Sequence, residues 1–458
     1  MTQPSTMYLE TMGCQMNVLD SELVVGALIE RGYRLTGDMQ AADLVVINTC
    51  SVRQHAEDKV YSRLGQLKNS RSAHPERIVA VIGCMAERDG DGLLNKAPGG
   101  VDILCGPGEL HRLPALIDEV RSRHIPAVAL AGRLRARSTP LAQLNGHDDL
   151  EALDSGRAFG LGGAGSTSPY QAYVRITRGC NKYCTFCVVP YTRGPEVHRP
   201  PDQIVHEVRR LADAGVMEVT LLGQTVNHYQ YVDDRGRETS FADLLRRVHD
   251  EVPQLPRLRF VTSFPRDFTD EALRVMAESP RICKYLHIPA QSGSNTVLKR
   301  MNRGYTVEQY KALLDRARSL MPEISIAGDM IVGFCGESED DFAASLDLLR
   351  YARYKNCFIF KYSPRPGTNA FDRLEDDVPE LVKRRRNNDM LAVQAEINLA
   401  NHQSMIGQTY EVLVEGPSKK AMQAQESEQS RGDEIADRAD FRGQLVGRTS
   451  GDQIVVLR

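Results

Sequence analysis

The stretch Tyr173 to Cys187, YVRITRGCNKYCTFC, decides the fold. A β-rich run, YVRIT, leads directly into Cys180, Cys184 and Cys187, spaced C-x3-C-x2-C. Thiolates are soft ligands suited to iron and zinc. A structural zinc site closes its shell with four ligands, usually as two paired half-sites. Here three cysteines stand together with no obvious fourth partner nearby. Three thiolates on a 4Fe-4S cubane leave one iron open, and an open iron can chelate a substrate or cofactor. A zinc knuckle and a set of inert buried thiols are the bland alternatives.

Outward from this motif, short apolar runs alternate with helical patterns from about Ala172 to Asn398. After YVRIT come EVTLLG (Glu218 to Gly223), RLRFVT (Arg257 to Thr262), KYLHIP (Lys284 to Pro289), ISIAGDMIVGF (Ile324 to Phe334) and NCFIFKYS (Asn356 to Ser363). Six strands with crossover helices predict a partial or complete parallel (β/α) barrel, with ligands at the carboxyl ends of its strands. Gln224, Asn227, Gln291 and Asp329 fall at such ends and are the candidate cofactor contacts, with ordinary turn chemistry as the alternative. Arg175, Arg178, Arg193 and Arg199 flank the cysteine motif. With Tyr183, Phe186 and Tyr191 they are candidates for phosphate contact and base stacking. The run Lys383 to Arg386 reads as a solvated helix face, and His198 as an exposed loop residue.

The first 125 residues repeat the alternation, with runs at Met7 to Gly13, Ala42 to Thr49, Arg77 to Gly83 and Val101 to Leu104. Between the first two, DSELVVGALIERG (Asp20 to Gly32) has an N-cap candidate, helical apolar spacing and a terminal glycine. A parallel α/β sheet is expected. Cys14, Cys50 and Cys84 each end one of these runs, in LETMGC, VVINTC and AVIGC. In a parallel sheet all three thiols emerge at one edge, which predicts a second three-thiolate site. Cys105 also ends a run and stays open as a ligand. Buried cysteine as a small core residue is the alternative.

The expected fold class is therefore α/β, with an N-terminal parallel sheet domain over 1–124, a linker over 125–165, a barrel core over 166–400 and a β domain over 403–458. Three strand candidates lie in that last part, around a polar insert at 421–440 expected to be disordered; three are too few for a closed small barrel. Of 458 residues 41% are hydrophobic, enough for real cores without disulfides. A net charge of -3 argues against a uniformly basic nucleic-acid binder. Of ten cysteines three sit together, four end apolar runs in the first 105 residues and three are scattered; in a reducing compartment a clustered set reads as metal ligation or redox chemistry, not as a disulfide framework. With no signal peptide evident and no apolar run near the ~20 residues of a membrane span, a soluble cytoplasmic protein is expected.

At TRGCNKYCTFC the chain resembles the radical S-adenosylmethionine enzymes, and across its length the methylthiotransferase family among them. The blocks are TMGCQMNVLDSE (Thr11 to Glu22), NTCSVRQHAEDK (Asn48 to Lys59), IGCMAER (Ile82 to Arg88), TRGCNKYCTFCVVPYTRG (Thr177 to Gly194), QSGS (Gln291 to Ser294), MNRGYT (Met301 to Thr306), GDMIVGF (Gly328 to Phe334) and YSPRPGT (Tyr362 to Thr368). GCQMNVLDSE with CVVPYTRG most resembles the members that modify dimethylallylated adenosine in tRNA. The tail resembles the TRAM RNA-binding barrel, with an insert and without its final strands. Thr225, His198 and Cys335 depart from the family pattern.

The resemblance implies that Cys180, Cys184 and Cys187 hold the 4Fe-4S cluster that binds S-adenosylmethionine. It implies that Cys14, Cys50 and Cys84 hold an auxiliary 4Fe-4S cluster, and that Cys105 holds none. It further implies methylthiolation of C2 of N6-(dimethylallyl)adenosine at tRNA position 37, contact with the anticodon stem-loop, a separate electron-donor protein and a monomeric enzyme. Members acting on threonylcarbamoyl adenosine or a ribosomal protein are the alternatives, as is a non-enzymatic iron–sulfur RNA binder.

Overall fold

The first four long apolar runs form neighbouring parallel strands. The computed structural model describes residues 5–51, 54–96, 100–131, 147–156, 169–423, 441 and 443–458. In the N-terminal domain, β1 (Thr6–Met12), β2 (Arg34–Leu35), β3 (Leu44–Thr49), β4 (Ile78–Gly83), β5 (Ile103–Cys105) and β6 (Ala127–Ala129) make a parallel sheet in the order β2-β1-β3-β4-β5-β6. Both faces of β3 and β4 are buried, which explains their unbroken apolar character. Val46, Ala80 and Ile82 pack under the helices Gln15–Ile29 and Leu113–Arg123, while Val45, Ile47 and Val81 pack under the helix Gln54–Asn69. The strand order reverses direction between β1 and β3, and ligands of open α/β sheets bind in the crevice beyond such a point.

The second alternating region forms two three-stranded parallel sheets. One contains β7 (Gln171–Arg175), β8 (Glu218–Leu222) and β9 (Arg257–Val261); the other contains β10 (Tyr285–His287), β11 (Ser325–Val332) and β12 (Asn356–Lys361). Backbone bonds from Leu258 N to Arg281 O (2.8 Å) and from Ser263 N to His287 O (3.0 Å) join β9 to β10. The row therefore runs in chain order from β7 to β12 as a partial barrel. Val208, Leu245, Leu273, Leu314 and Leu349 cover it from outside, one from each crossover helix. Its opposite face at β7–β9 receives the helix Gln15–Ile29, whose Met16, Leu19 and Leu23 pack on Tyr173, Leu222 and Val261. The N-terminal domain thus packs on the face of the barrel's first three strands that its crossover helices leave free. Burying each such leucine contributes about 1.5–3 kcal/mol.

The expected 125–165 linker is more structured than its composition suggests. Its residues 127–129 are the edge strand β6, and its His147–Ser155 segment is a helix. That helix is held by charge: Glu151 and Asp154 face Arg175, Arg178 and Arg199. Single-sequence patterning misses it because its partners lie on other elements. Residues 132–146 and 157–168 fall outside the described set.

In the tail, β13 (Val412–Pro417), β14 (Leu445–Thr449) and β15 (Ile454–Leu457) form an antiparallel sheet of the three expected strands. It docks at the amino ends of the barrel strands. Arg257 donates to the carbonyls of Arg448 (2.8 Å) and Glu411 (3.1 Å), and Arg259 to that of Ser450 (3.2 Å). Of the insert expected to be disordered over 421–440, residues 421–423 are instead helical with Ala421 buried, and residues 424–440 lie outside the described set.

Candidate metal centres and active site

Strand register brings the first three thiols together. Met12 pairs with Thr49, and Thr49 with Gly83, so Cys14, Cys50 and Cys84 leave three adjacent parallel strands at one edge. Cys14 caps the helix Gln15–Ile29, its carbonyl accepting from Asn17 N at 2.9 Å. Two buried amides lock the turns. Asn17 Nδ2 donates to Asn48 Oδ1 at 2.8 Å, and Asn48 Nδ2 donates back to Asn17 O at 2.8 Å. A hydrogen bond from Cys50 brings the Cys14 thiol down to about 6, against burial; Arg193 and backbone N–H groups assist. Burial pushes the Cys84 thiol up, with Arg193 opposing.

Cys180, Cys184 and Cys187 follow β7 on a loop at the carboxyl end of the barrel. Cys180 N donates to Gly194 O (3.1 Å) and Cys187 N to Cys184 O (3.0 Å). Burial pushes the Cys180 thiol up to about 12, and raises Cys187 with added repulsion from Cys184 and Cys180. Sulfurs buried near one another are costly as free thiolates, so a bound cation is the natural counterpart. The buried Arg303 answers part of that charge, with Nη1 3.3 Å from Cys184 Sγ. It is held by Pro289 O at 3.0 Å and by the Phe264 ring, 4.5 Å from its guanidinium.

The loop needs Gly179. Its φ is +67°, and a Cβ there would lie 2.0 Å from Pro195 O. Gly179→Ala is expected to leave the auxiliary iron in place and to lower total iron by about half, as one of two equal clusters is lost. Iron analysis after anaerobic reconstitution checks this.

Each set brings three soft thiol donors beside a buried guanidinium, Arg193 at one and Arg303 at the other. Three thiolates suit a 4Fe-4S cluster with one iron left open, whereas a structural zinc site closes its shell with four protein ligands.

The two centres are connected. The run from Cys187 through the helix Val189–Thr192, which packs against the helix Cys84–Asp89, ends at Arg193. Arg193 Nη2 donates to Asp20 Oδ2 at 2.9 Å and acts on both Cys14 and Cys84. The same Asp20 accepts from Arg175 at 2.9 Å through its other oxygen. A second bridge runs through Glu57, which accepts from Arg88 (2.8 Å) in its own domain and from Arg365 (2.7 Å) in the barrel.

Other expectations meet the structure unevenly. Cys105 is fully buried, with Sγ 3.3 Å from Glu109 O, and burial pushes its thiol well up. Arg175, Arg178, Arg193 and Arg199 do not present themselves to phosphate. They are buried and ion-paired, because the acidic groups of three flanking helices reach them first. Tyr183 packs edge-on against Tyr191, and Phe186 against Phe334. Lys383 and Arg386 are buried and paired with Asp376 and Glu337, not solvated.

The four candidate cofactor contacts all stand near the barrel's carboxyl end. Gln224 is half-buried and makes no side-chain hydrogen bond among the described residues. Asn227 is committed at both ends to the backbone of Phe264, at 2.7 and 2.9 Å. Gln291 adopts φ +71° and bonds through its backbone to Asp329 and Ile331. Asp329 Oδ1 lies 3.2 Å from His287 Nε2. Arg303, Glu57 and the Asn17–Asn48 pair escaped the residue-level reading, although all lie in the blocks that carry the resemblance; Asp20, read as the start of a helix, lies inside one that begins at Gln15, and its carboxylate is taken by Arg175 and Arg193 instead.

Residues 174–349 match the model of the radical SAM superfamily, and residues 6–106 that of an uncharacterized protein family, UPF0004. A tRNA-2-methylthio-N(6)-dimethylallyladenosine synthase of Rhodopirellula baltica is 45% identical over 99% of this chain and 90% of its own. One of Syntrophotalea carbinolica is 40% identical over 98% of this chain and 92% of its own. Among solved structures, the radical S-adenosylmethionine methyltransferase TsrM of Kitasatospora setae shares the fold. Its TM-score is 0.56 at 16% identity, covering 80% of this chain and 74% of that one. With 40–45% identity to the two synthases sustained over nearly the whole of both chains, this chain belongs to the tRNA-2-methylthio-N(6)-dimethylallyladenosine synthase family of radical SAM enzymes.

Proposed function

We propose that the chain is a tRNA methylthiotransferase that converts N6-(dimethylallyl)adenosine at tRNA position 37 to its 2-methylthio derivative. The observation that carries this is the pair of three-thiol sets at the carboxyl edges of two parallel sheets, joined by the run Cys187–Arg193. A methylthiolated C2 requires replacing an unactivated aromatic C–H, which no side-chain acid or base can do at neutral pH. Two 4Fe-4S clusters and S-adenosylmethionine, when bound, supply the one-electron chemistry and the methyl group.

The residues of the chain hold and orient. Cys180, Cys184 and Cys187 hold the cluster that engages S-adenosylmethionine, and Cys14, Cys50 and Cys84 hold the auxiliary one. Arg303 and Arg193 set fixed positive charge beside each sulfur set, lowering the cost of burying anionic sulfur. Gln224, Gln291 and Asp329 line the S-adenosylmethionine side of the barrel mouth. Asn227 contributes there by fixing the loop at Phe264. The helix Gln15–Ile29 closes the barrel face and keeps water from the reacting atoms. The adenine leaves the anticodon-loop stack to reach them. The enzyme works as a cytoplasmic monomer fed by a separate electron-donor protein. None of the ten cysteines is in a disulfide, which suits a reducing compartment. Among the described residues no helix is long and apolar enough to cross a membrane.

Nucleoside mass spectrometry tests the reading. Dimethylallylated tRNA incubated with the reduced, reconstituted enzyme and S-adenosylmethionine is expected to yield the 2-methylthio nucleoside. An unchanged nucleoside, with methylthiolation found instead on threonylcarbamoyl adenosine or on a ribosomal protein, overturns it.

A further inference from the structure

A third cluster of donors lies beside the Cys180 loop and uses none of its cysteines. Glu196 and His198 stand at the second arm of a two-residue ribbon, Val197–His198, paired with Thr177–Arg178. His228 ends the single 3-10 turn after β8. The ribbon and the turn thus meet at the barrel's carboxyl end. Among the described residues these three are the only group of three histidine, cysteine or carboxylate donors whose atoms all lie within 4.8 Å of one another.

The carboxylate is buried and oriented. Thr225 Oγ1 donates to Glu196 Oε1 at 2.9 Å, and Glu196 Oε2 lies 2.8 Å from His228 Nδ1. The backbone N–H of Glu196 donates to Asn181 Oδ1 at 3.1 Å, which ties the carboxylate to the cysteine loop. An ion pair accounts for Glu196 and His228, but not for His198. The His198 ring packs edge-on against His228 (6.2 Å) and Tyr229 (5.6 Å), yet its Nδ1 is buried with no hydrogen-bond partner. A buried imidazole nitrogen left unpaired carries the full cost of its lost water unless something satisfies it.

We propose that Glu196, His198 and His228 bind one divalent first-row transition ion, zinc or ferrous iron, through one carboxylate oxygen and two imidazole nitrogens. Two imidazoles and a carboxylate suit these ions, and the absence of sulfur separates this site from both cysteine triads. The Thr225 hydroxyl, holding Oε1, is the outer partner that orients a ligating carboxylate. The His228 side chain is 41% exposed and gives the ion an entry path. Three protein ligands leave further positions for water or for a substrate group. The ion binds at the mouth of the barrel, next to the loop that carries Cys180, and so adds a third metal to the chain.

The test uses holoenzyme, anaerobically reconstituted so that the cysteine triads are filled, and dialysed against zinc chloride. Elemental analysis is expected to find about one zinc per chain beyond the iron, and X-ray absorption at the zinc edge to find only nitrogen and oxygen neighbours at about 2.0–2.1 Å. His198→Ala with His228→Ala is expected to lose that zinc with its iron unchanged. His228→Ser alone, at a side chain that is 41% exposed, is expected to weaken zinc binding by about tenfold or more, since losing a ligand costs at least as much as losing an outer partner. No zinc in the wild-type holoenzyme, a sulfur neighbour at about 2.3 Å, or undiminished zinc in His228→Ser overturns the proposal.

Discussion

With Cys14, Cys50 and Cys84 all replaced by alanine, the reconstituted protein is expected to hold about half its iron, about four atoms of eight. It is expected to cleave S-adenosylmethionine still and to leave the tRNA without a methylthio group. The reciprocal change at Cys180, Cys184 and Cys187 should also halve the iron and should abolish cleavage. The asymmetry follows from placement. The first triad sits on the edge of β1, β3 and β4, where its loss leaves the barrel loop untouched. The second triad sits on that loop itself, held by Gly194, Cys184 and Arg303. Iron analysis, 5′-deoxyadenosine release and nucleoside mass spectrometry separate the two variants. Methylthiolation surviving in the first removes the auxiliary-centre role.

Asp154→Ala is expected to destabilise the protein by about 3–5 kcal/mol, as breaking a buried ion-pair network does. The carboxylate is 1% exposed. It accepts from Arg175 at 2.8 Å and from Arg178, with Arg199 at 3.8 Å. Without it three buried guanidiniums share only Glu151, Asp20 and Glu207. Arg175 and Arg178 border the Cys180 loop, so weaker cluster retention accompanies the lost stability. Urea unfolding monitored by circular dichroism measures the effect. The same group predicts a pH dependence. Arg175, Arg178 and Arg199 hold the Asp154 carboxyl well below its usual range, against the cost of burial. The folded state therefore binds fewer protons there than the unfolded one. Its contribution is fully present above the ordinary aspartate value, about 3.9, and is lost as pH falls below it. Asp154→Asn should flatten that acid limb of the stability curve.

Much of the chemistry was legible in residue order alone. Cys180, Cys184 and Cys187 announce themselves because their ligand spacing is local, and the six barrel strands because each is a short apolar run between helical patterns. The shared edge of Cys14, Cys50 and Cys84 was also readable: parallel strands put their carboxyl ends together whatever the details of packing.

What followed a single-chain pattern was thus determined by the sequence: strand identity, the two thiol triads and their strand-end positions. What depended on pairing across distant segments was decided by the tertiary structure. The helix His147–Ser155 looks like linker until Arg175, Arg178 and Arg199 supply its partners. Those arginines look like a phosphate-binding patch until the same helix neutralises them. Glu196, His198 and His228 look like unrelated loop residues until the ribbon and the turn after β8 bring them within 4.8 Å. The physical reason is one of range. Hydrophobic periodicity and ligand spacing act over a few residues, whereas burial of a charge is decided by whichever opposite charge the fold brings close enough to answer it.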